Sequence, residues 1–210
     1  MASRLVLALD ETDPARALKV AKEVAPFVSK IKINYPLVLS AGMQIVTEIS
    51  KYSNVICDFK VADIPNTNRL IAESVFGAGA SGIIAHAFPG PESLKAIRKV
   101  DDSKDLYIVI TMSHPKGGDF FNIDSFCSLA LEVGATGVIA PATRPDDVAK
   151  VRRRVGDLEI LSPGVGAQGG DSKETLKAGA DFIIVGRAIY QSDNPASSAE
   201  KYSLDLNIDD

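Results

Sequence analysis

Short apolar runs recur along the chain at intervals of roughly 20–30 residues, and the segments between them have helical periodicity. In Ala15–Ala25, for example, Leu18, Ala21 and Val24 fall on one helical face. The pattern predicts strands at Leu5–Leu9, Ile31–Ile33, Val55–Phe59, Gly82–Ala85, Leu106–Met112, Gly137–Ala140, Glu159–Leu161 and Phe182–Val185. Strands that alternate with helices are typical of an α/β protein with a parallel sheet.

A short motif, Gly-Ala-x before an apolar strand, occurs three times, beginning at Gly79, Gly134 and Gly179. Glycine there ends a helix in the left-handed conformation, and the small residues allow a tight return to the sheet. Eight such strand–helix units predict a (β/α)8 TIM barrel, formed as a single domain by residues 1–210. The alternative is an open doubly wound sheet, which usually has about five to seven strands.

The composition argues against two kinds of partner. The net charge is −4 and the basic residues are dispersed, so we expect no nucleic acid; the run Arg152–Arg154 is typical of a helix surface. No stretch approaches the ~20 apolar residues of a membrane-spanning helix, so we expect no membrane. Cys57 and Cys127 lie in apolar segments. Buried free thiols are typical of a reducing compartment, which predicts a cytoplasmic protein.

The segment Asp58–Asp63 combines two acids and a lysine at the end of a predicted strand. Successive side chains on a strand point to opposite faces, so Asp58 and Lys60 share one face while Cys57 faces the helices. Unpaired buried charge is costly, and a paired set of charges at the end of a strand indicates catalysis. Asp63 lies just beyond the strand. The alternative is an ion-pair network that joins strands at the barrel mouth.

Polar residues at the other strand ends are further candidates, because the active site of a TIM barrel lies at the C-terminal ends of its strands. They are Asp10, Lys32, Asn34, His86, Ser113, His114, Thr143 and Arg144. Neither histidine has a serine or a carboxylate at obvious triad spacing. We therefore expect both to be hydrogen-bonded structural residues.

The last two strands are followed by a predicted phosphate site. The glycine-rich run Pro163–Gly170 follows the seventh strand, and Gly186 and Arg187 follow the eighth. These two loops are the usual phosphate-binding place of the fold. Glycines let backbone N–H groups approach an anion, and an arginine can pair with two phosphate oxygens. The alternative is a turn whose glycines serve only backbone geometry.

These motifs resemble the orotidine 5'-phosphate decarboxylase family in its short microbial and archaeal form. The resemblance covers nearly the whole chain and is carried by Leu7–Asp10, Lys32–Leu37, Asp58–Thr67, Met112–Pro115, Ser162–Asp171 and Val185–Arg187. One departure is Asn34, where the family usually has glycine. The resemblance implies decarboxylation of orotidine 5'-phosphate to UMP in pyrimidine biosynthesis, with neither cofactor nor metal.

The resemblance also implies a role for each candidate residue. Lys60 protonates C6 of the pyrimidine, Asp58 lies near the substrate carboxylate, and Lys32 and Asp63 complete the charged array. Asp63 and Thr67 would reach the site of a partner subunit, which implies a homodimer with shared active sites. The implied substrate contacts are Asp10, Lys32, Asp63 and Thr67 at the ribose, Ser113 at the pyrimidine, Pro163, Gly164 and Gln168 on the loop, and Gly186 and Arg187 at the phosphate. The implied lid runs from Gly164 to Asp171.

Two other functions remain open at this point. Metal-dependent lyases resembling 3-hexulose-6-phosphate synthase and 3-keto-gulonate-6-phosphate decarboxylase share the Asp-x-Lys-x-x-Asp pattern, but they carry a glutamate on the second strand as a Mg²⁺ ligand. This chain has Lys32 there, and an ammonium group repels a cation that prefers oxygen ligands. The second alternative is a non-catalytic phosphate-binding barrel. It would be expected to have lost a charged residue, and none is missing.

Overall fold

The structure, a computed structural model, describes residues 3–166 and 168–206. The two ends of the predicted domain and Ala167 of the glycine-rich loop lie outside the described residues. Eight parallel strands close into a barrel in chain order, from β1 to β8 and back to β1. The predicted (β/α)8 barrel is therefore confirmed, and the open doubly wound sheet is wrong.

The strands lie close to the predicted apolar runs. They are β1 (Leu5–Leu9), β2 (Lys30–Asn34), β3 (Asn54–Val61), β4 (Gly82–His86), β5 (Asp105–Val109), β6 (Gly137–Ile139), β7 (Glu159–Pro163) and β8 (Phe182–Val185). The fifth strand differs most, since it was predicted to reach Met112 and ends at Val109. Its neighbour β6 ends at Ile139, the residue that pairs with Val109. The amides of Ile110 and Thr111 both turn to the Ile139 carbonyl, at 3.1 and 3.5 Å.

Helices fill the connections between strands. They are α1 (Pro14–Val24), α2 (Tyr35–Ala41), α3 (Gln44–Ser50), α4 (Pro65–Gly77), α5 (Pro91–Arg98), α6 (Ile123–Glu132), α7 (Pro145–Val155), α8 (Ser172–Lys177), α9 (Arg187–Tyr190) and α10 (Pro195–Leu206), with a short 3-10 turn at Ala25–Phe27. Within the described ranges, none of these helices is long and apolar enough to span a membrane. The three glycines of the repeated motif have φ of 95°, 64° and 109°, so their predicted left-handed conformation is confirmed.

Apolar side chains form two layers, one on each face of the sheet. A small cluster fills the barrel, with Ile56, Tyr107 and Leu161 at its centre. A larger one lies between the sheet and the helices and includes Cys57, as strand alternation predicts. Cys57 and Cys127 are both buried free thiols. The apolar plug inside the barrel lies below the polar strand ends, so it forms the floor of the pocket described next.

Candidate active site

A pocket of about 410 Å³ opens at the C-terminal ends of the strands. Its wall includes every residue to which the family resemblance assigns a role except Asp63 and Thr67. The predicted residues that meet there are Asp10, Lys32, Asp58, Lys60, Ser113, Pro163, Gly164, Gln168, Gly186 and Arg187. They come from six different strand ends, so the closure of the barrel is what brings them together.

Asp58 is the centre of the charged cluster. Its Oδ2 accepts a hydrogen bond from Lys32 Nζ at 2.8 Å, and its Oδ1 accepts one from Lys60 Nζ at 2.7 Å. Asp58 and Lys32 are each only 6 % exposed, while the Lys60 side chain is about one-third exposed toward the pocket. One carboxylate thus fixes two ammonium groups, and the outer one remains accessible to a ligand.

The electrostatics keep Asp58 and Lys32 charged. Burial alone would raise the pKa of Asp58, but the ammonium groups of Lys32 and Lys60 together lower it. Burial alone would lower the pKa of Lys32, but Asp58 and then Asp10 raise it. The opposed charges therefore outweigh desolvation, and the Lys32–Asp58 pair stays ionised at neutral pH.

Asp10 completes the acidic part of the pocket. Its Oδ1 is buried and has no hydrogen-bond partner among the described residues. A buried acceptor without a partner is costly in free energy. Because Asp10 lines the pocket, this oxygen is suited to accept a hydrogen bond from a ligand hydroxyl.

The backbone at Lys60 is unusual. Its φ is 43°, in the left-handed region that residues other than glycine rarely adopt. The register between β3 and β4 shifts between Cys57 and Val61, so a local irregularity precedes the end of the strand. This turn of the chain directs the lysine into the pocket, and nothing in the residue types predicts it.

The opposite side of the pocket holds the predicted phosphate site. Gly164 has φ of 104°, and its carbonyl accepts a hydrogen bond from Gly170 N at 3.0 Å, so the described part of the loop folds back on itself. Gln168 and Arg187 are exposed on this side of the pocket wall. One side of the pocket therefore carries alternating carboxylate and ammonium groups, and the other side offers glycine backbone and the exposed guanidinium of Arg187.

Ser113 lies on the segment that follows β5, and Arg144 holds this segment in place. The Arg144 guanidinium donates to the Thr111 hydroxyl, to the Met112 carbonyl at 2.5 Å and to the Gly117 carbonyl at 3.0 Å. The Thr143 hydroxyl donates to the Ser113 carbonyl at 3.2 Å. Arg144, a candidate by its position at a strand end, thus braces a loop of the pocket.

Two predicted residues lie outside the pocket of their own chain. Asp63 is exposed, and its carboxylate accepts a hydrogen bond from the Ile64 amide at 2.7 Å. Thr67 lies on the first turns of α4 and is partly buried. Neither residue contributes to the 410 Å³ pocket, so the chain by itself does not place them on the wall that Lys60 shares.

The histidines are also absent from this pocket. His86 packs against the rings of Phe88 and Phe121, with centroids 5.0 and 5.9 Å away. Its buried Nδ1 lacks a hydrogen-bond partner among the described residues, so the expectation of a fully hydrogen-bonded histidine is wrong at this atom. His114 lines an adjoining, more open pocket beside Arg144, which shares Ser113 and Gln168 with the first.

Sequence reasoning missed two polar residues of the pocket wall, Thr111 and Tyr190. Tyr190 follows Arg187 by three positions in α9, a spacing that places both on one helical face and could have identified it. Thr111 lies inside the apolar run that was predicted to continue the fifth strand, and its sequence context carries no comparable signal. Over the described ranges, no group of three or more His, Cys, Asp or Glu is arranged to hold a metal ion.

Comparison with known proteins adds an independent finding. The profile of the "Orotidine 5'-phosphate decarboxylase / HUMPS family" matches residues 3–202. The chain is 52 % identical over 210 residues to orotidine 5'-phosphate decarboxylase of Methanococcoides burtonii, covering 98 % of each chain. It is 48 % identical to the Methanosarcina acetivorans enzyme of the same name, covering 98 % of this chain and 95 % of that one.

Solved structures agree. Orotidine 5'-monophosphate decarboxylase of Methanocaldococcus jannaschii, complexed with the inhibitor BMP, superposes with a TM-score of 0.93 at 42 % identity, covering 99 % of this chain and all of that one. The orotidine 5'-phosphate decarboxylase of Pyrococcus horikoshii superposes with a TM-score of 0.90 at 44 % identity, covering 98 % of this chain and all of that one. The similarity therefore extends over the barrel and every strand end that forms the pocket.

Proposed function

The chain belongs to the orotidine 5'-phosphate decarboxylase / HUMPS family, and from this premise we infer that it is an orotidine 5'-phosphate decarboxylase. It is a carboxy-lyase that converts orotidine 5'-phosphate to UMP and CO2. The observation that carries this function within the family is the Lys32–Asp58–Lys60 cluster, because the metal-dependent relatives have a glutamate at the position of Lys32. An ammonium group bonded to Asp58 at 2.8 Å leaves no oxygen ligand for Mg²⁺ at that place.

We assign the proton transfer to Lys60. When the bond between C6 and the carboxylate breaks, the electron pair stays on C6 and CO2 leaves. Lys60 Nζ then gives a proton to C6, which yields UMP. A fixed ammonium beside developing negative charge is worth most in a site that excludes water. The hydrogen bond to Asp58 keeps this ammonium in place. We propose that the reaction needs neither a cofactor nor a metal.

Asp58 has a second proposed effect. The substrate carboxylate would bind close to the Asp58 carboxylate, and the two negative charges repel each other until CO2 has left. Lys32 offsets this repulsion only in part, because its ammonium is already bonded to Asp58.

The remaining residues of the pocket would bind the substrate. Asp10 would accept from a ribose hydroxyl through its unpartnered Oδ1, with Lys32 beside it, and Ser113 would bind the pyrimidine edge. Pro163, Gly164 and Gln168 would form the lid side, and Gly186 and Arg187 would hold the phosphate. The phosphate is remote from the bond that breaks, so its binding energy would drive closure of the loop from Gly164 to Asp171.

We also propose a homodimer in which Asp63 and Thr67 complete the partner's site. Two observations support it: both residues lie outside their own pocket, and exposed apolar side chains lie near them along the chain. Ile64 is 65 % exposed and Leu70 is 48 % exposed. Exposed apolar residues beside a functional segment are typical of an interface.

We further propose that the chain acts as one domain in the cytoplasm, since buried free thiols fit a reducing compartment. We also propose that it binds no nucleic acid, which its net charge of −4 disfavours as a partner.

The function is tested by the loss of orotidine 5'-phosphate absorbance with and without EDTA. We expect full activity after chelation. Activity that disappears with EDTA and returns with Mg²⁺ would favour the metal-dependent lyases. No turnover by a folded protein that still binds UMP would favour the non-catalytic phosphate-binding barrel.

A further inference from the structure

The left-handed backbone at Lys60 needs neighbours that hold it. A residue other than glycine at φ of 43° is unfavourable by itself and persists only where the surrounding structure fixes it. The strand ladder cannot do this alone, because the register between β3 and β4 is broken between Cys57 and Val61. A contact from outside this ladder must therefore hold the peptide that precedes Lys60.

Tyr35 makes such a contact. Its hydroxyl donates a short hydrogen bond to the Phe59 carbonyl, which belongs to the same peptide group as the Lys60 nitrogen. Its ring also stacks on the Phe59 ring, with centroids 5.0 Å apart and planes 15° from parallel. The orientation of that peptide plane sets the φ of Lys60. A partner bonded to its oxygen therefore limits rotation at this residue.

The hydrogen bond to the Phe59 carbonyl requires a protonated Tyr35 hydroxyl. Burial, and then the charge of Asp58, raise the pKa of Tyr35 above its ordinary value. Tyr35 is nevertheless 46 % exposed, so much of its ring gains little from burial. The hydrogen bond and the stack account for its orientation better than core packing does.

Asn34 fixes the other end of this contact. Its Oδ1 accepts a hydrogen bond from the Tyr35 amide at 2.7 Å, which makes Asn34 the N-cap of α2. Asn34 also lies opposite Asp58 in the register between β2 and β3. Asn34 and Tyr35 thus connect β3, the strand that carries Lys60, to the start of α2, the helix that follows β2.

We propose that Tyr35 is a positioning residue for Lys60, held in its own place by the Asn34 cap. It acts through the Phe59–Lys60 peptide and touches no reacting atom. The proposal rests on the proposed function, in which Lys60 donates the proton to C6. Its consequence is a loss of turnover without a loss of substrate binding, because the ammonium is displaced while the rest of the pocket is unchanged.

The test compares Tyr35→Phe, Tyr35→Ala and the control Tyr52→Phe. Tyr52 is similarly exposed, at 43 %, and lies just before β3, at the opposite end of the strand from Lys60. Tyr35→Phe keeps the ring and removes the donor. We expect kcat to fall roughly tenfold, since displacement of a reacting group by ~1 Å can cost up to about a hundredfold. The KM for substrate and the Kd for UMP should stay within about twofold, because ground-state binding is retained.

Tyr35→Ala removes the stack as well, and kcat should fall by about a hundredfold. Asn34→Ala should lower kcat in the same direction by a smaller factor, and Asn34→Ser, which can still cap the helix, should restore it. Tyr52→Phe should match the wild type. Melting temperature and molecular mass are measured for every variant, so that a loss of folded protein or of dimer is seen directly.

Two results would overturn the proposal in an active enzyme: kcat within about twofold of wild type in both Tyr35 variants, or a fall that only follows the lost folded fraction. If the wild type does not turn over orotidine 5'-phosphate, the proposed function fails instead. Amide hydrogen exchange at Lys60 then decides the positional part. Faster exchange in folded Tyr35→Phe supports it, and unchanged exchange rejects it.

Discussion

Strand β2 carries two lysines on the same face, and their surroundings differ completely. Lys30, at the base of the barrel, donates to Asp105 at 3.0 Å, to the Tyr107 hydroxyl at 2.5 Å and to Glu159 at 3.4 Å. Tyr107 is fully buried and donates in turn to Glu159 at 2.7 Å. The charges of Lys30, Asp105 and Glu159 are therefore matched by groups of the protein itself.

The mouth of the barrel is left incomplete. Lys32 and Lys60 share one carboxylate, Lys60 remains partly exposed, and Asp10 Oδ1 has no partner among the described residues. The strands end there in segments that leave a pocket of about 410 Å³, whereas at the base an apolar plug and Tyr107 close the interior. The same residue types thus stabilise the protein at one end and leave bonding capacity for a ligand at the other.

The largest effect should follow from removing Lys60. Lys60→Ala is expected to lower kcat by at least about four orders of magnitude, or roughly 5.5 kcal/mol, because one preorganised charge is missing when the bond breaks. The melting temperature should change little, since Asp58 keeps its bond to Lys32. Steady-state kinetics and circular dichroism measure both.

Lys51→Ala is the matched control, because Lys51 is more than half exposed and forms an ion pair with Glu48, three residues earlier on the same helix end. Exposed pairs of this kind contribute little. A folded Lys60→Ala variant within about tenfold of wild type, or roughly 1.4 kcal/mol, would contradict the assignment of the proton donor.

The lysine two residues earlier should behave in the opposite way. Lys30→Met leaves Asp105, Glu159 and the Tyr107 hydroxyl without their ammonium, at an expected cost of about 3 kcal/mol of unfolding free energy, the low end for a broken buried pair. The two carboxylates are about one-third exposed or less, which favours that end of the range. Thermal unfolding should shift down by about 6–12 °C. The kcat per folded molecule should be unchanged.

Lys19→Met serves as the control for the change of side chain, because the Lys19 side chain is 74 % exposed. A Lys30→Met protein with wild-type stability would show that the base network contributes nothing net. Loss of turnover in the folded fraction would show that the two ends of the barrel are not independent.

Lys30 and Lys32 show which features can be predicted from the sequence and which cannot. Apolar runs locate all eight strands because a buried strand carries a strong, local signal. Strand parity correctly places Lys30 and Lys32 on one face. It cannot identify the partners of Lys30, since Asp105 and Glu159 come from distant strands and meet only through the stagger of the closed barrel.

The candidate site is predictable where position in the fold decides it. Asp10, Asp58 and Arg187 line the pocket because they lie in the C-terminal half of a strand or just beyond it. The left-handed backbone of Lys60, the bond from Tyr35 to Phe59 and the unpartnered oxygen of Asp10 are not predictable, because each depends on tertiary packing and not on residue type. Asn34 stands where the family usually has glycine. Its role as the N-cap of α2 can be recognised only once the start of that helix is known.

A third substitution distinguishes the proposed phosphate side of the pocket from the side that carries Lys60. Arg187→Ala should lower kcat/KM roughly 30-fold, or about 2 kcal/mol, because it removes a charge-assisted contact with the phosphate. The Kd for UMP should rise with it, whereas Lys60→Ala should leave UMP binding largely intact. Arg153→Ala on α7, an exposed arginine remote from the pocket wall, is the control. Unchanged UMP affinity in Arg187→Ala would contradict the phosphate site.

The last test asks whether the mouth, unlike the base, needs a second chain, and its expected signal is only a fraction of the wild-type activity. Asp63→Ala and Lys60→Ala homodimers should both be nearly inactive. In a mixed dimer, the Asp63→Ala chain keeps its own Lys60 and receives Asp63 from its partner, so that one site is whole and the other lacks both groups. Random re-pairing of equal amounts makes about half of the dimers mixed in a two-fold assembly, so roughly a quarter of all sites should recover activity.

If Asp63 served its own chain, every site of the mixed dimer would still lack one group and no activity would return. The comparison has an internal control, since each variant re-paired with itself must stay inactive after the same treatment. Subunit exchange is verified by mass spectrometry of chains of different mass. Exchange without recovery would reject the transfer of Asp63 to the partner's site, and the exposed position of Asp63 would then require another explanation, because its own chain does not bring it to the pocket.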